Sequence, residues 1–253
     1  MVALSGAASG IGAAVRARLL CDGARVIGVD LGDAEVCADL ATPAGRRAAV
    51  DGVRALAPQG LTGAVACAGL GPHVPDRGLL VSVNYFGAAE LLEGLRPLLV
   101  GRPGAAAVAV ASNSASLPNA VDALVDHCLA GDENAARTAA ATLHGASAYA
   151  ASKRALACWV RRSATGPDWA GRSVRLNAVA PGAVQTPLLD GSLADPVLGP
   201  AVRGFPIPTG GFGTPDAVAD AIAFLLGPDA RFCCGSVLFV DGGSDALLRP
   251  DAF

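Results

Sequence analysis

The chain has 253 residues, 52% of them hydrophobic and only 4% aromatic, with a formal net charge of -3. That length admits one large or two small domains with a substantial core. The mild acidity offers no footprint for nucleic acid, and no apolar run reaches the roughly 18 residues of a membrane span, so neither partner is expected.

In chain order, short apolar runs alternate with longer helical stretches. Strands are expected at 2–5, 25–29, 36–38, 64–67, 105–111, 174–179 and 237–240. Several are continuously apolar, as parallel strands covered on both faces must be. Helices are expected at about 11–22, 43–57, 79–100, 148–164 and 215–226, with Thr42-Pro43 and Thr214-Pro215 as cap-plus-first-turn starts. Unbroken alternation predicts a single-domain α/β fold over 1–253, a doubly wound parallel sheet of about seven strands. One segment departs from this rhythm. Residues ~118–146 form an Ala-rich stretch with helical halves at 120–130 and 132–144 split by Gly131, where a short loop would suffice. A lid, an oligomer contact and an ornamental insertion are all compatible with it.

The first strand runs into Ser5-Gly6-Ala7-Ala8-Ser9-Gly10-Ile11-Gly12, which opens the first helix. Glycines in that context allow a tight turn and close approach of backbone to a pyrophosphate seated on helix N–H groups. Gly6, Ser9, Gly10, Ile11 and Gly12 are therefore candidate cofactor contacts. Asp30 ends the second strand, eighteen residues past Gly12. A carboxylate there accepts from both adenosine ribose hydroxyls and repels a 2′-phosphate. Leu31 follows, and no Arg or Lys interrupts the glycine turn, so NAD is expected over NADP. Asp39-Leu40 is placed to flank the adenine. Cys67-Ala68-Gly69 ends the fourth strand at the same edge, where small residues let a cofactor pass.

Seven cysteines, at 21, 37, 67, 128, 158, 233 and 234, show no C-x-x-C spacing and read as small buried hydrophobes in a reducing compartment. The adjacent pair Cys233-Cys234 could bridge only with strain. His73, His127 and His144 lack metal-ligand spacing, so no metal site is expected. No export signal is visible at Met1, and the expected location is the cytoplasm.

Lys153 is the only lysine beside eighteen arginines, and it follows one of two tyrosines in Tyr149-Ala150-Ala151-Ser152-Lys153. Four residues is one helical turn, so phenol and ammonium share a face. Taken with the glycine turn, this pattern resembles the short-chain dehydrogenase/reductase family across essentially the whole chain. Ser5 stands where that family usually has threonine, and Cys67-Ala68-Gly69 stands for its N-A-G. Asn84 matches the helix asparagine, Ser112 the catalytic serine, and Tyr149/Lys153 the Y-x-x-x-K pair. Asn177-Ala178-Val179-Ala180-Pro181-Gly182 resembles N-x-x-x-P-G, Thr186 the threonine near the carboxamide with Val184 beside it, and Asp241-Gly242-Gly243 the family's final turn.

The resemblance implies roles for these residues. Tyr149 exchanges the proton on the reacting oxygen, while Lys153, together with the nicotinamide's own positive charge, lowers the phenol pKa from ~10 and binds the nicotinamide ribose. Ser112 holds the substrate oxygen, with Ser114 the competing serine. Asn84 positions a relay water, although a helix-kink amide would read the same way. Cys67–Pro72, Ser82–Gly87, the insertion and the C-terminal Asp245–Pro250 further resemble a bacterial hydroxysteroid-dehydrogenase and carbonyl-reductase subgroup. That implies an apolar alcohol or ketone, a steroid first among them. The substrate would be closed in by a lid at ~185–212 containing Leu188, Leu189, Phe205, Ile207 and Pro208. The resemblance also implies a homo-oligomer, a dimer above other states.

Overall fold

The computed structural model describes residues 1–252. Seven parallel strands form one sheet in the order β3-β2-β1-β4-β5-β6-β7. They are β1 (Val2–Ser5), β2 (Val26–Asp30), β3 (Val36–Cys37), β4 (Gly63–Ala66), β5 (Ala106–Val110), β6 (Arg175–Pro181) and β7 (Val237–Val240). The chain winds outward from β1 through β2 to β3, then returns to place β4 on the other side of β1. At that reversal the crossovers diverge and leave a crevice at the C-terminal strand ends.

The two faces of the sheet differ in side-chain size. Ala64, Ala66, Ala107, Ala109 and Ala178 face one core, packed under α2 (Pro43–Leu56), α4 (Ala88–Leu99) and α7 (Gly145–Ala164). Val65, Val108, Val110 and Val179 face the other, under α1 (Gly10–Cys21) and α10 (Pro215–Leu226). Alanine on the first face lets α7, itself lined by buried Ala148, Ala151 and Ala155, lie close to the strands. Each leucine sealed at these faces, such as Leu92 or Leu156, contributes roughly 1.5–3 kcal/mol of burial. Arg175 at the start of β6 donates to the carbonyls of Leu225, Leu226 and Gly227, serving the unpaired acceptors at the end of α10.

Several expectations shift at this level. The helix expected over 79–100 begins earlier, as α3 (Arg77–Val81), continues through a π-helical turn (Ser82–Gly87), and only then becomes α4. The helix bearing Tyr149 starts at Gly145, where no side chain fits because a Cβ would lie 2.0 Å from the Pro72 carbonyl oxygen. β6 runs two residues beyond expectation, because Ala180 and Pro181 pair with Phe239 and Val240. The insertion halves are α5 (Asp122–Leu129) and α6 (Glu133–Ala141), with Gly131 left-handed between them. Two helices lie in 185–212, α8 (Pro187–Ala194) and α9 (Leu198–Arg203), and α11 (Ser244–Leu248) closes the chain. Thr186 caps α8 by accepting from Leu189 N, the same Thr-Pro start as Thr42-Pro43 and Thr214-Pro215.

The reading of the cysteines as buried holds fully only for Cys128. Cys21 ends a helix, Cys37 lies on the short edge strand, and both are exposed, as is Cys234. All seven are free thiols. Among the described residues no group of His, Cys, Asp and Glu is arranged to hold a metal ion, and no helix is long and apolar enough to cross a membrane.

Candidate active site

The β1–α1 turn is built around backbone contacts that exclude side chains. A Cβ on Gly12 would fall 1.8 Å from the Gly6 carbonyl oxygen, and one on Gly6 would fall 2.8 Å from Ala68 Cα. Ser5 Oγ accepts from both Cys67 N and Ala68 N at 3.1 Å, tying the end of β1 to the loop after β4. The serine that replaces the usual threonine thus keeps the hydroxyl that does this. α1 starts at Gly10 with no side-chain cap and no acidic residue in its first turn. Its first N–H groups and the positive end of its dipole therefore open on the crevice, suited to an anionic diphosphate.

The crevice is a cleft of about 460 Å³. Along it lie Gly6, Ser9, Gly10, Ile11, Gly12, Asp30, Leu31, Asp39, Leu40, Cys67, Ala68, Gly69, Ser112, Tyr149, Lys153, Pro181, Gly182, Val184 and Thr186. Every site residue expected from the sequence is in that wall except Asn84. Asp30 Oδ2 accepts from Ala8 N at 3.0 Å and Oδ1 from Leu31 N at 2.8 Å, so the carboxylate is fixed to the glycine turn. The uncapped helix start, the glycine turn and this anchored carboxylate together fit a dinucleotide. Leu70, Leu79, Val83 and Ala111 also line the cleft; Leu70 and Val83 fall in the segments Cys67–Pro72 and Ser82–Gly87 that carry the resemblance, and only apolar character marks Leu79 and Ala111. Of the lid residues named from sequence, Leu188 and Leu189 reach the cleft, whereas Phe205, Ile207 and Pro208 do not line it.

Asn84 sits fully buried behind the wall, in the π-helical turn. Its amide accepts from Leu70 N at 2.7 Å and donates to Leu70 O at 3.0 Å, fixing the loop that follows Gly69. The kink reading and the positioning reading therefore meet in one residue, since the widened turn brings the amide to this loop. A Cβ on Gly69 would stand 3.2 Å from Asn84 Oδ1 and 3.4 Å from Lys153 Nζ, so the chain passes between them.

Tyr149, Ser112 and Lys153 converge at the inner end. Ser112 caps the short turn Asn113–Ser116 after β5, and its Oγ accepts from Ser114 N at 3.2 Å and Ser114 Oγ at 3.0 Å. Ser112 faces the cleft and Ser114 supports it from outside the lining. That turn is held from the C-terminus: Ser116 Oγ donates to Asp245, and Asn113 Nδ2 donates to Asp241. Lys153 is 4% exposed, donates from Nζ to Val110 O at 2.8 Å, and lies 5.9 Å from the Tyr149 ring centroid.

Burial pushes the Tyr149 phenol above its ordinary pKa, and the hydrogen bond from Ser112 works in the opposite direction. Burial likewise pulls Lys153 down to about 8, with Cys67 opposing. Cys67 itself is pushed up to about 12 by burial, which keeps a neutral thiol in the wall. In the protein without cofactor, and so without the nicotinamide's positive charge, the Ser112 hydrogen bond is the lowering influence on the phenol and desolvation outweighs it.

A parallel sheet with its cleft at the strand reversal, and a tyrosine, serine and lysine at the inner end, define a dinucleotide-dependent oxidoreductase. The comparisons agree with this class. Residues 134–245 match a family model described as enoyl-(acyl carrier protein) reductase. The chain is 43% identical to the 3-alpha-hydroxysteroid dehydrogenase/carbonyl reductase of Comamonas testosteroni, covering 100% of this chain and 99% of the relative. It superimposes with a TM-score of 0.96 on the 3-alpha-hydroxysteroid dehydrogenase of Pseudomonas sp. B-0831, crystallised with NADH, at 50% identity over 100% of this chain and 99% of that one. The aldohexose dehydrogenase of Thermoplasma acidophilum is more distant, with a TM-score of 0.76 and 25% identity over 96% of this chain and 92% of that one. The chain belongs to the short-chain dehydrogenase/reductase family.

Proposed function

We propose that this protein is an NAD(H)-dependent oxidoreductase that interconverts 3α-hydroxysteroids and 3-oxosteroids and also reduces other carbonyl compounds. The observation that carries the reading is the cleft itself, where Tyr149, Ser112 and Lys153 meet a glycine turn and the anchored Asp30 in one wall. The full-length likeness to two 3-alpha-hydroxysteroid dehydrogenases supports the steroid assignment. The apolar wall of Leu70, Leu188 and Leu189 suits a flat hydrophobic substrate. Asp30 supports NAD, because a 2′-phosphate beside its fixed carboxylate would meet like charge.

Bound nicotinamide supplies or accepts the hydride. Tyr149, protonated at neutral pH, gives its proton to the carbonyl oxygen in reduction and takes it back in oxidation. Ser112, its Oγ oriented by Ser114, holds the substrate oxygen beside that phenol. Lys153 keeps two ammonium hydrogens beyond its bond to Val110 for the ribose hydroxyls. Asn84 Oδ1 retains a lone pair for a water that returns protons to Lys153.

Assayed by absorbance of the reduced cofactor, 3α-hydroxysteroids should turn over with NAD, and simple aldehydes and ketones with NADH. Faster turnover with NADPH at equal concentration would overturn the cofactor assignment. No turnover on any steroid would shift the reading to a non-steroidal alcohol. A non-catalytic cofactor sensor is disfavoured because both Tyr149 and Lys153 are present in the cleft.

The setting we propose is the cytoplasm, with the protein as a homodimer. Leu238 on the edge strand β7 and Phe232, in the segment leading to that strand, are exposed large hydrophobics, and they support self-association. Light scattering that returns a monomer mass would refute the dimer.

A further inference from the structure

The helical insertion was the one segment to which the sequence assigned no task. Its α6 begins at Glu133, whose carboxylate receives both terminal nitrogens of Arg46, Nη1 at 3.2 Å. Arg46 lies in the first turn of α2 and is 2% exposed, the one buried arginine among the described residues. Its Nε donates to Glu90 of α4 at 2.7 Å, and its Nη1 also donates to the Leu40 carbonyl at 3.3 Å. One guanidinium therefore joins α2, α4, the insertion and the backbone of Leu40.

Leu40 is a wall residue of the cleft, on the side of Asp30 and Asp39. It is packed from behind by the end of the π-helical turn, where a Cβ on Gly87 would lie 3.2 Å from both Leu40 Cβ and its carbonyl oxygen. A second cation of the insertion reaches the start of the same turn: Arg137 Nη1 donates to the fully buried Ser82 Oγ at 2.7 Å. Both ends of the turn that carries Asn84 and Val83 thus abut the insertion or the residue it braces. A buried arginine is costly unless every neighbour answers it, and the planar fork answers Glu133 in a way a lysine cannot.

We propose that α6 of the insertion is an internal brace for the adenosine end of the cleft, with Glu133 and Arg46 as positioning residues for cofactor binding. The carboxylate of Glu133 fixes the guanidinium, the guanidinium fixes the Leu40 carbonyl, and Leu40 shapes the wall. Neither residue lies in the cleft lining. The inference rests on the cofactor reading above.

The test separates cofactor binding from chemistry. Arg46→Lys keeps the charge but loses the fork, and Glu133→Gln keeps the shape but loses the carboxylate. Each should weaken NADH and AMP by a similar factor, about tenfold for loss of a charge-assisted buried contact. Binding of AMP, which fills only the adenosine half, is read by calorimetry, and kcat at saturating cofactor should stay within about twofold. Glu90→Gln, at the exposed partner, should have the smallest effect. Unchanged AMP affinity in both Arg46→Lys and Glu133→Gln would overturn the brace, as would a fall in kcat with cofactor KM unaltered. If the unaltered protein binds neither NADH nor AMP, the cofactor reading falls and takes the brace with it.

Discussion

Tyr149→Phe should leave the protein folded and able to bind NADH while lowering kcat/KM for ketone reduction by about 10²–10⁴-fold, the usual worth of a positioned general acid. The ring already sits in the cleft wall, so phenylalanine removes only the hydroxyl. The lost oxygen is the one that Ser112 contacts. Ser112→Ala should cost less, because the proton donor remains.

The direction of the pH response follows from burial. The Tyr149 pKa is raised, so its proton is present through neutral pH and reduction is served there, whereas alcohol oxidation needs the phenolate and should rise toward alkaline pH. Burial lowers the Lys153 pKa to about 8 in the protein without cofactor, so the ammonium is favoured below that pH and the neutral amine above it. Since kcat/KM for the cofactor reports the free protein, it should be level below about 8 and fall above it. Steady-state rates across pH with wild type and Tyr149→Phe measure both limbs. A Tyr149→Phe enzyme with wild-type kcat/KM would remove the tyrosine from the chemistry.

What could be read from the sequence was local in the chain or fixed by the order of its elements. The glycine turn, Asp30 at its strand end and the one-turn spacing of Tyr149 and Lys153 each follow from a few adjacent residues. The sheet then brings them to one edge because strand–helix alternation has a single economical winding. What could not be read depends on partners distant in sequence. Arg46 and Glu133 are separated by 87 positions, and neither belongs to a motif. Ser112 stands nearer the strand end than Ser114, which favours it in the sequence, and the turn after β5 places Ser112 in the cleft wall and Ser114 outside it. The burial that raises the Tyr149 pKa in the protein without cofactor was equally out of reach: spacing gives the distance to Lys153, but desolvation depends on everything packed around the ring. Thr186 differs in kind, since with Pro187 beside it the residue both starts α8 and stands in the cleft wall.

Lys153→Arg should abolish efficient turnover although it preserves a positive charge, with a loss of about 10²-fold or more from displacement of the cleft groups. Lys153 is 4% exposed, bonded to Val110 O at 2.8 Å, and passed closely by the loop at Gly69. A guanidinium there is wider than the ammonium by two nitrogens and must remain planar. It must push Gly69 or the Asn84 amide outward, an overpacking strain of about 1–3 kcal/mol. The chain uses arginine for every other cation, so the residue class is not scarce; the site selects a compact donor that fits between Asn84 and Tyr149. Arginine also cannot lose its proton, so any residual activity should lack the decline near pH 8 expected for wild type. Lys153→Met separates the two requirements, because it keeps the slender stem without charge. If Met binds NADH better than Arg does, shape dominates; if Arg does, charge dominates. An arginine variant with full activity and an unchanged pH profile would show that the site never required an ammonium.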